Sequence, residues 1–273
     1  MAKYAKRRIT LINPCKQSAG SAHVERRINK GACPLVEEGG NQKLTRLGLE
    51  RTQKILTFAR IIKVKTGMKI ICIGMNYASH NKEMQRALLL KSEPVIFMKS
   101  DASLLKDGKP FFIPDFSSDM QYETEIVVKI SRLGKSISRK FASRYYDEIT
   151  VGIDMTARDL QRKLKEGGLP WEISKSFDNS AVVGKFVSLE KEGLDINAIP
   201  FRLDIDGKTV QQGNTADMIF KTDEIIEYVS RFVTLKMGDL IFTGTPAGVG
   251  QVEINNCLQG YVNDMKLLDF QIK

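Results

Sequence analysis

The chain reads as an α+β, β-rich fold, and three features of the sequence predict it. Short apolar runs alternate with turn residues along most of the length, helical spacing is confined to a few stretches, and the strand–helix alternation of a doubly wound sheet is missing. In order, residues 69–74 (KIICIG) form the continuous apolar run of a buried strand. Residues 76–89 carry helical spacing, and 94–98 (PVIFM) predict a second strand. The segment 122–130 (YETEIVVKI) alternates as a strand does, 142–147 is helix-like, and 149–154 (ITVGID) predicts another strand. Residues 156–166 predict a helix, with Thr156 and Asp159 spaced as an N-cap and its acid at the third helical position. A hairpin is predicted from 201–206 and 208–211 around Asp206-Gly207, a pair that tolerates the positive φ of a tight turn. Residues 219–231 predict a helix, and 239–243 a strand entering a glycine-rich turn. No internal repeat has a fixed period.

With 42% hydrophobic and 27% charged residues in 273, the chain can support a sizeable core. No apolar run reaches the roughly 18–20 residues of a membrane span, and no apolar stretch follows the basic N-terminus as a secretory signal requires. Cys15, Cys33, Cys72 and Cys257 show no CxxC spacing, so they suggest the reduced thiols of a cytoplasmic protein rather than a zinc knuckle or a disulfide framework.

The net charge of +10 is concentrated at one end: residues 1–67 hold 15 Lys/Arg against 4 Asp/Glu, and the other 206 residues hold 27 against 28. Nucleic-acid binding requires cations clustered on a folded face, so neither nucleic acid nor a membrane is an expected partner. Within 1–67 only 47–64 has the spacing of a short basic amphipathic helix. A transit peptide, a functional basic tail, and a disordered or non-native extension all suit this composition. The last is the expectation, because a clean strand opens immediately at Met68. The expected boundaries are therefore a basic leader at 1–67 and a folded domain at 68–273.

Three constellations carry chemistry. Glu123 and Glu125 lie two apart in a strand and so project from one face. Alone, such a pair reads as a solvated strand face, but the Ile126-Val127-Val128 run that follows predicts burial. Asp154 ends the strand ITVGID, and strand ends are where side chains converge. Three buried carboxylates repel one another and lose hydration, and as an all-oxygen set they suit Mg2+ or Mn2+, with Ca2+ a further fit. The second constellation is His80 with Glu83, one helical turn apart, a general base with a carboxylate that raises its basicity. Only one other histidine exists, His23. The third is Lys175, able to stabilise a developing oxyanion, with the turn 243–250 (TGTPAGVG), whose glycines let backbone N–H groups approach a ligand carboxylate.

Together and in this order, GMNYASHNKE, PVIFMKS, QYETEIVVKI, GIDMTARDLQ, KSFDNSAVVG, GNTADMIF and LKMGDLIFTGTPAGVG resemble the fumarylacetoacetate hydrolase family. The resemblance spans nearly all of 68–273 and none of 1–67, and its compactness is similar to the branch of acylpyruvases, oxaloacetate decarboxylases and 2-hydroxyhepta-2,4-diene-1,7-dioate isomerases. It implies mixed β-sheets rolled into a barrel-like body with a few surface helices, usually as a homodimer. It further implies Glu123, Glu125 and Asp154 as ligands of Mg2+ or Mn2+, and His80 with Glu83 as a dyad on a lid helix that orders over the substrate. Lys175 would face a developing enolate, Arg158 and Gln161 would orient substrate or water, and Thr245, in a turn shaped by Gly244, would bind the substrate carboxylate. Two departures stand out: Ser100 follows Lys99 where the family often has proline, and the lid segment 81–90 is individual.

The expected activity is metal-dependent hydrolysis of a C–C bond in a small 2,4-dioxo acid. His80 activates water, and the metal and Lys175 hold the pyruvate enolate that leaves. Oxaloacetate decarboxylation and isomerase or tautomerase chemistry pass through the same enolate and stand as alternatives. A non-catalytic keto-acid-binding protein is a remote one.

Overall fold

The structure, a computed structural model, describes residues 67–83 and 93–273, with the side chains of 81–83 outside the description. The expectations for the leader, for the helical stretch beyond Glu83, for the lid segment and for the Glu83 carboxylate therefore lie outside the described residues.

Fifteen strands and five α-helices make up the described residues. The strands are β1 (Ile70–Gly74), β2 (Val95–Lys99), β3 (Leu104–Leu105), β4 (Met120–Tyr122), β5 (Thr124–Ile130), β6 (Tyr146–Asp154), β7 (Thr156–Ala157), β8 (Ala181–Val183), β9 (Val187–Ser188), β10 (Pro200–Ile205), β11 (Lys208–Asn214), β12 (Leu240–Phe242), β13 (Gly250–Gln251), β14 (Cys257–Val262) and β15 (Met265–Gln271). The helices are α1 (Ala78–Glu83), α2 (Arg139–Ala142), α3 (Arg158–Glu166), α4 (Glu172–Lys175) and α5 (Thr222–Phe232). The largest sheet runs β2-β1-β12-β5-β6-β8-β3, with β9 beside β6. Its β1–β12 and β3–β8 pairs are parallel and the rest antiparallel, so the sheet is mixed. A second sheet, β11-β10-β14-β15, and a small one, β13-β4-β7, complete a curled half-barrel. No helix of the described residues is long and apolar enough to cross a membrane.

Alternation gives the main sheet two apolar faces. Ile71, Ile73, Ile126, Val128, Val151 and Ile153 belong to the larger core, and Ile70, Cys72, Val127, Leu240 and Phe242 form a smaller cluster on the other face. The second sheet packs so closely that a Cβ on Gly260 would lie 2.8 Å from a Val151 methyl, which leaves room for glycine alone. The hairpin forms as expected: Asp206 and Gly207 have φ of 52° and 78°, the left-handed pair of a tight turn.

Two expected elements differ. Residues 142–147 split into the end of α2, a 3-10 turn at Ser143–Tyr145 and the start of β6, because Tyr146 pairs with Ile130. Thr156 does not cap a helix. It pairs with Gln121 in β7, and its hydroxyl donates to the Asp154 carbonyl at 3.1 Å and accepts from Lys175 at 2.6 Å. The helix begins two residues later at Arg158. Asp159 instead fastens the preceding loop, accepting from the Ser117 hydroxyl at 2.7 Å, from the Ser118 N–H at 2.9 Å and from the Leu160 N–H at 2.8 Å.

These hydrogen bonds outweigh partial burial and lower the Asp159 pKa to about 2. A carboxyl depressed in the folded state stabilises above its unfolded pKa and loses that contribution as pH falls. Allowing for solvent screening, Asp159→Asn is expected to destabilise by about 1 kcal/mol at pH 7. The difference from wild type should shrink between pH 4 and pH 2, as chemical denaturation at each pH would show; a pH-independent deficit would contradict the assignment.

Candidate metal centre and active site

Strand register brings the acids together. Thr124 lies opposite Ile153 and Glu125 opposite Gly152, so Glu125 and Asp154 share a face where β5 and β6 end. Glu123 immediately precedes β5. Glu123, Glu125 and Asp154 are 6%, 2% and 0% exposed, and one carboxylate oxygen from each lies within 4.8 Å of the others.

Such a cluster needs counter-charge, and three cations supply it. Lys175, at the end of the one-turn helix α4, donates to Glu123 Oε2 and to Asp154 Oδ2, each at 2.7 Å. Arg158, first residue of α3, donates to Glu123 Oε1, to Gln161 Oε1 at 2.8 Å and to Gln121 Oε1 at 2.7 Å. The third cation, Lys99, is not among the residues the sequence singled out for a role. Its buried ammonium stands 2.8 Å from Asp154 Oδ1. It also donates to the backbone carbonyl of Lys175, and to the carbonyl and hydroxyl of Ser180 at 3.1 and 3.0 Å. Its signal was a lysine at the end of the apolar strand VIFMK, in register with Phe97 two residues before it.

Electrostatics separates the three acids. Burial alone would raise the Glu123 pKa, but Lys175 and Arg158 hold it well below the usual carboxylate range. Burial and then Asp154 push Glu125 well above that range, against the Gly244 N–H and Lys175. Burial would lower the Lys175 pKa, and Asp154 and Glu123 more than reverse it. The Glu125 Oε2 accepts from the Gly244 N–H at 2.7 Å.

A divalent cation fits this donor set. The ligands are all carboxylate oxygens, the combination that hard cations such as Mg2+, Mn2+ and Ca2+ prefer, with none of the thiolates or imidazoles of a zinc site. Asp154 Oδ1, though 2.8 Å from the Lys99 ammonium, accepts no hydrogen bond of good geometry. That buried oxygen retains a lone pair for a cation.

The acids and Lys175 line one pocket together with His80, Phe97, Gln161, Trp171 and Thr245. His80, on α1, is 3% exposed. The structure brings seven of the ten expected site residues to this wall and places the others differently. Arg158 stands behind it, its guanidinium directed at Glu123, Gln121 and Gln161. Gly244 acts through its backbone: its φ is 100°, a Cβ there would lie 2.7 Å from that of Asn76, and its N–H holds Glu125. The backbone of Glu83 falls on α1 with His80. The Thr245 hydroxyl donates to the Thr124 carbonyl at 2.9 Å and accepts from Gln211 at 2.8 Å. Gln211, buried on β11 and missed by the sequence reading, therefore sets the Thr245 rotamer.

Comparison with known proteins identifies a family. Residues 69–273 match the family model described as fumarylacetoacetate (FAA) hydrolase C-terminal. The chain is 39% identical over 207 residues to "Oxaloacetate tautomerase FAHD1, mitochondrial" of Mus musculus, covering 76% of this chain and 92% of that protein. It is 40% identical over 190 residues to "Oxaloacetate decarboxylase, mitochondrial" of Dictyostelium discoideum, covering 69% and 86%. Among solved structures, the fumarylpyruvate hydrolase of Pseudomonas aeruginosa in complex with Mn2+ and pyruvate superposes with a TM-score of 0.70 at 33% identity, covering 75% of this chain and 88% of that one.

Glu125→Gln keeps the acceptor for Gly244 and removes a carboxyl whose ionisation burial and Asp154 oppose. It is expected to raise the melting temperature of the metal-free protein and to weaken Mn2+ binding by at least about 100-fold, beyond the range seen for outer-shell changes. Calorimetry checks both, and unchanged Mn2+ affinity would remove the metal assignment.

Proposed function

The chain belongs to the fumarylacetoacetate hydrolase family, and we propose that it catalyses proton transfer at the carbon beside the keto group of a small 2-oxo acid, with keto–enol tautomerisation of oxaloacetate as the leading reading. The observation that carries this is the convergence of three buried carboxylates, Lys175 and His80 on one pocket. Glu123, Glu125 and Asp154 would hold Mg2+ or Mn2+, which supplies Lewis-acid chemistry toward a keto oxygen. His80 takes the proton from the carbon, acting as general base. The Lys175 ammonium faces the negative charge that builds on the keto oxygen as that proton leaves. The Gln161 amide orients the substrate, Thr245, its proton already given to the Thr124 carbonyl, lines the wall, and the Phe97 and Trp171 rings keep water from the reacting carbon. Protonation at oxygen gives the enol, and the reverse sequence gives the keto acid.

A second reading has its own support. A fumarylpyruvate hydrolase shares the fold at 33% identity, and there His80 would instead take a proton from water for attack on the distal carbonyl of an acylpyruvate. The catalytic module is proposed to be 68–273, with the basic segment 1–67 outside it. Both named relatives are mitochondrial by name, which adds weight to the transit-peptide reading of 1–67 against cytoplasmic residence; sequencing the N-terminus of the protein isolated from its cells decides between them.

The test follows oxaloacetate enol-to-keto conversion by ultraviolet absorbance, with acetylpyruvate in parallel. Metal-stripped protein should be inactive, Mn2+ should restore turnover, and His80→Ala should lose at least about 100-fold in kcat. Preferential cleavage of acetylpyruvate would establish the second reading instead, and full activity in His80→Ala would contradict both.

A further inference from the structure

Beside two residues of the pocket wall, Gln161 and Trp171, α3 places a further cation, Lys165. Gln161, on the wall, has its Oε1 occupied by two cations: Arg158 at 2.8 Å, and Lys165 at 3.2 Å one turn further along the helix. Its amide N–H groups are what it offers the pocket. Lys165, half-buried, lies over the Trp171 ring with its ammonium 4.7 Å from the centroid. Trp171 is on the pocket wall, tilted against Phe97 at 6.3 Å between centroids.

This stacking is fixed by the end of the helix. The Gly168 N–H donates to the Lys165 carbonyl at 3.1 Å and the Leu169 N–H to the Leu164 carbonyl at 2.8 Å, with Gly168 at φ 63°. That is the two-bond reversal in which glycine supplies the left-handed residue. It turns the chain sharply, so that Trp171 returns against Lys165. A lysine in the last turn of a helix needs no ligand to explain it, since the helix dipole favours one there. The dipole does not explain an ammonium held at once by an aromatic wall and by a pocket-lining amide.

The charge count points the same way. Glu123, Glu125 and Asp154 are matched by Lys99, Lys175 and Arg158, so a divalent cation and Lys165 together add three positive charges. A ligand with two carboxylates offsets more of that charge than a monocarboxylate does.

Resting on the 2-oxo acid reading above, we propose that Lys165 is a specificity-determining residue that binds a second, distal carboxylate and selects 2-oxo dicarboxylic acids over 2-oxo acids with an apolar tail. The first carboxylate and the keto group lie at the carboxylate triad and Lys175. The distal carboxylate reaches Lys165 and the Gln161 amide, which donate to it.

Two ligands of equal chain length isolate that group: oxaloacetate, and 2-oxobutyrate, which has a methyl in place of the distal carboxylate. Trp171 is the chain's single tryptophan, so quenching of its fluorescence in the full-length, Mn2+-loaded protein reports binding whether or not turnover follows. Wild type should bind oxaloacetate at least about tenfold more tightly than 2-oxobutyrate, the effect of one charge-assisted hydrogen bond. Lys165→Met, which keeps an apolar stem on Trp171, should bring the two affinities within about twofold while leaving 2-oxobutyrate and Mn2+ binding unchanged. Lys165→Arg should retain most of the discrimination. Preserved discrimination in Lys165→Met overturns the proposal, as does equal weakening of both ligands, which would mark a structural role. If neither ligand bound the Mn2+-loaded wild type, the 2-oxo acid reading itself would fall, and this inference with it.

Discussion

Everything at this site depends on one constraint: three carboxylates and three cations share a space from which water is excluded. Each ion loses several kcal/mol of hydration on burial, and the pairings must be close to recover it. Glu123 is held by Lys175 and Arg158, and Asp154 by Lys175 and Lys99. Register prevents relaxation, because Glu125 and Asp154 are fixed at the ends of two strands paired along most of their length. Replacing such a cluster with apolar residues often stabilises a fold. A cluster kept in so unfavourable a place is the kind of local violation that accompanies function.

The surrounding structure serves the same constraint from a distance. Gln211, on the β10–β11 hairpin, accepts from the Thr124 N–H at 3.0 Å and donates to the Thr245 hydroxyl and to the Pro246 carbonyl at 2.8 and 2.9 Å. It thereby ties the start of β5 to the glycine-rich turn. Asn76 fastens the other side of that turn, donating to the Thr243 carbonyl at 2.8 Å. The turn in turn presents the Gly244 N–H to Glu125. An outer layer of neutral amides thus holds in place an inner layer of charges, the arrangement that preorganised polar sites require.

Much of this was legible in the sequence, and what was not has identifiable causes. Strands with strong alternation or continuous apolar runs, such as β1, β2, β5 and β6, were found because burial writes its period directly into residue type. No expectation covered the β14–β15 hairpin, where Gly260 meets Val151 across the interface between sheets and polar residues alternate on the other face. Thr156 followed the helix-cap pattern, but strand pairing and Lys175 claimed it first. The carboxylate triad was visible through spacing and strand position. Lys99 was not, because a lysine that closes an apolar strand looks like one reaching solvent. Arg158 was expected to face substrate or water, but its guanidinium turns to Gln121, Gln161 and Glu123, a placement only three-dimensional contacts reveal.

The central claim is that Glu123, Glu125 and Asp154 together hold a divalent cation beside Lys175. The most direct measurement is an anomalous difference map from a crystal grown with Mn2+, which locates the ion without reference to activity. A single peak is expected about 2.1 Å from one oxygen of each carboxylate, with Lys175 adjacent. A peak elsewhere, or a map with no peak near these three residues, would contradict it.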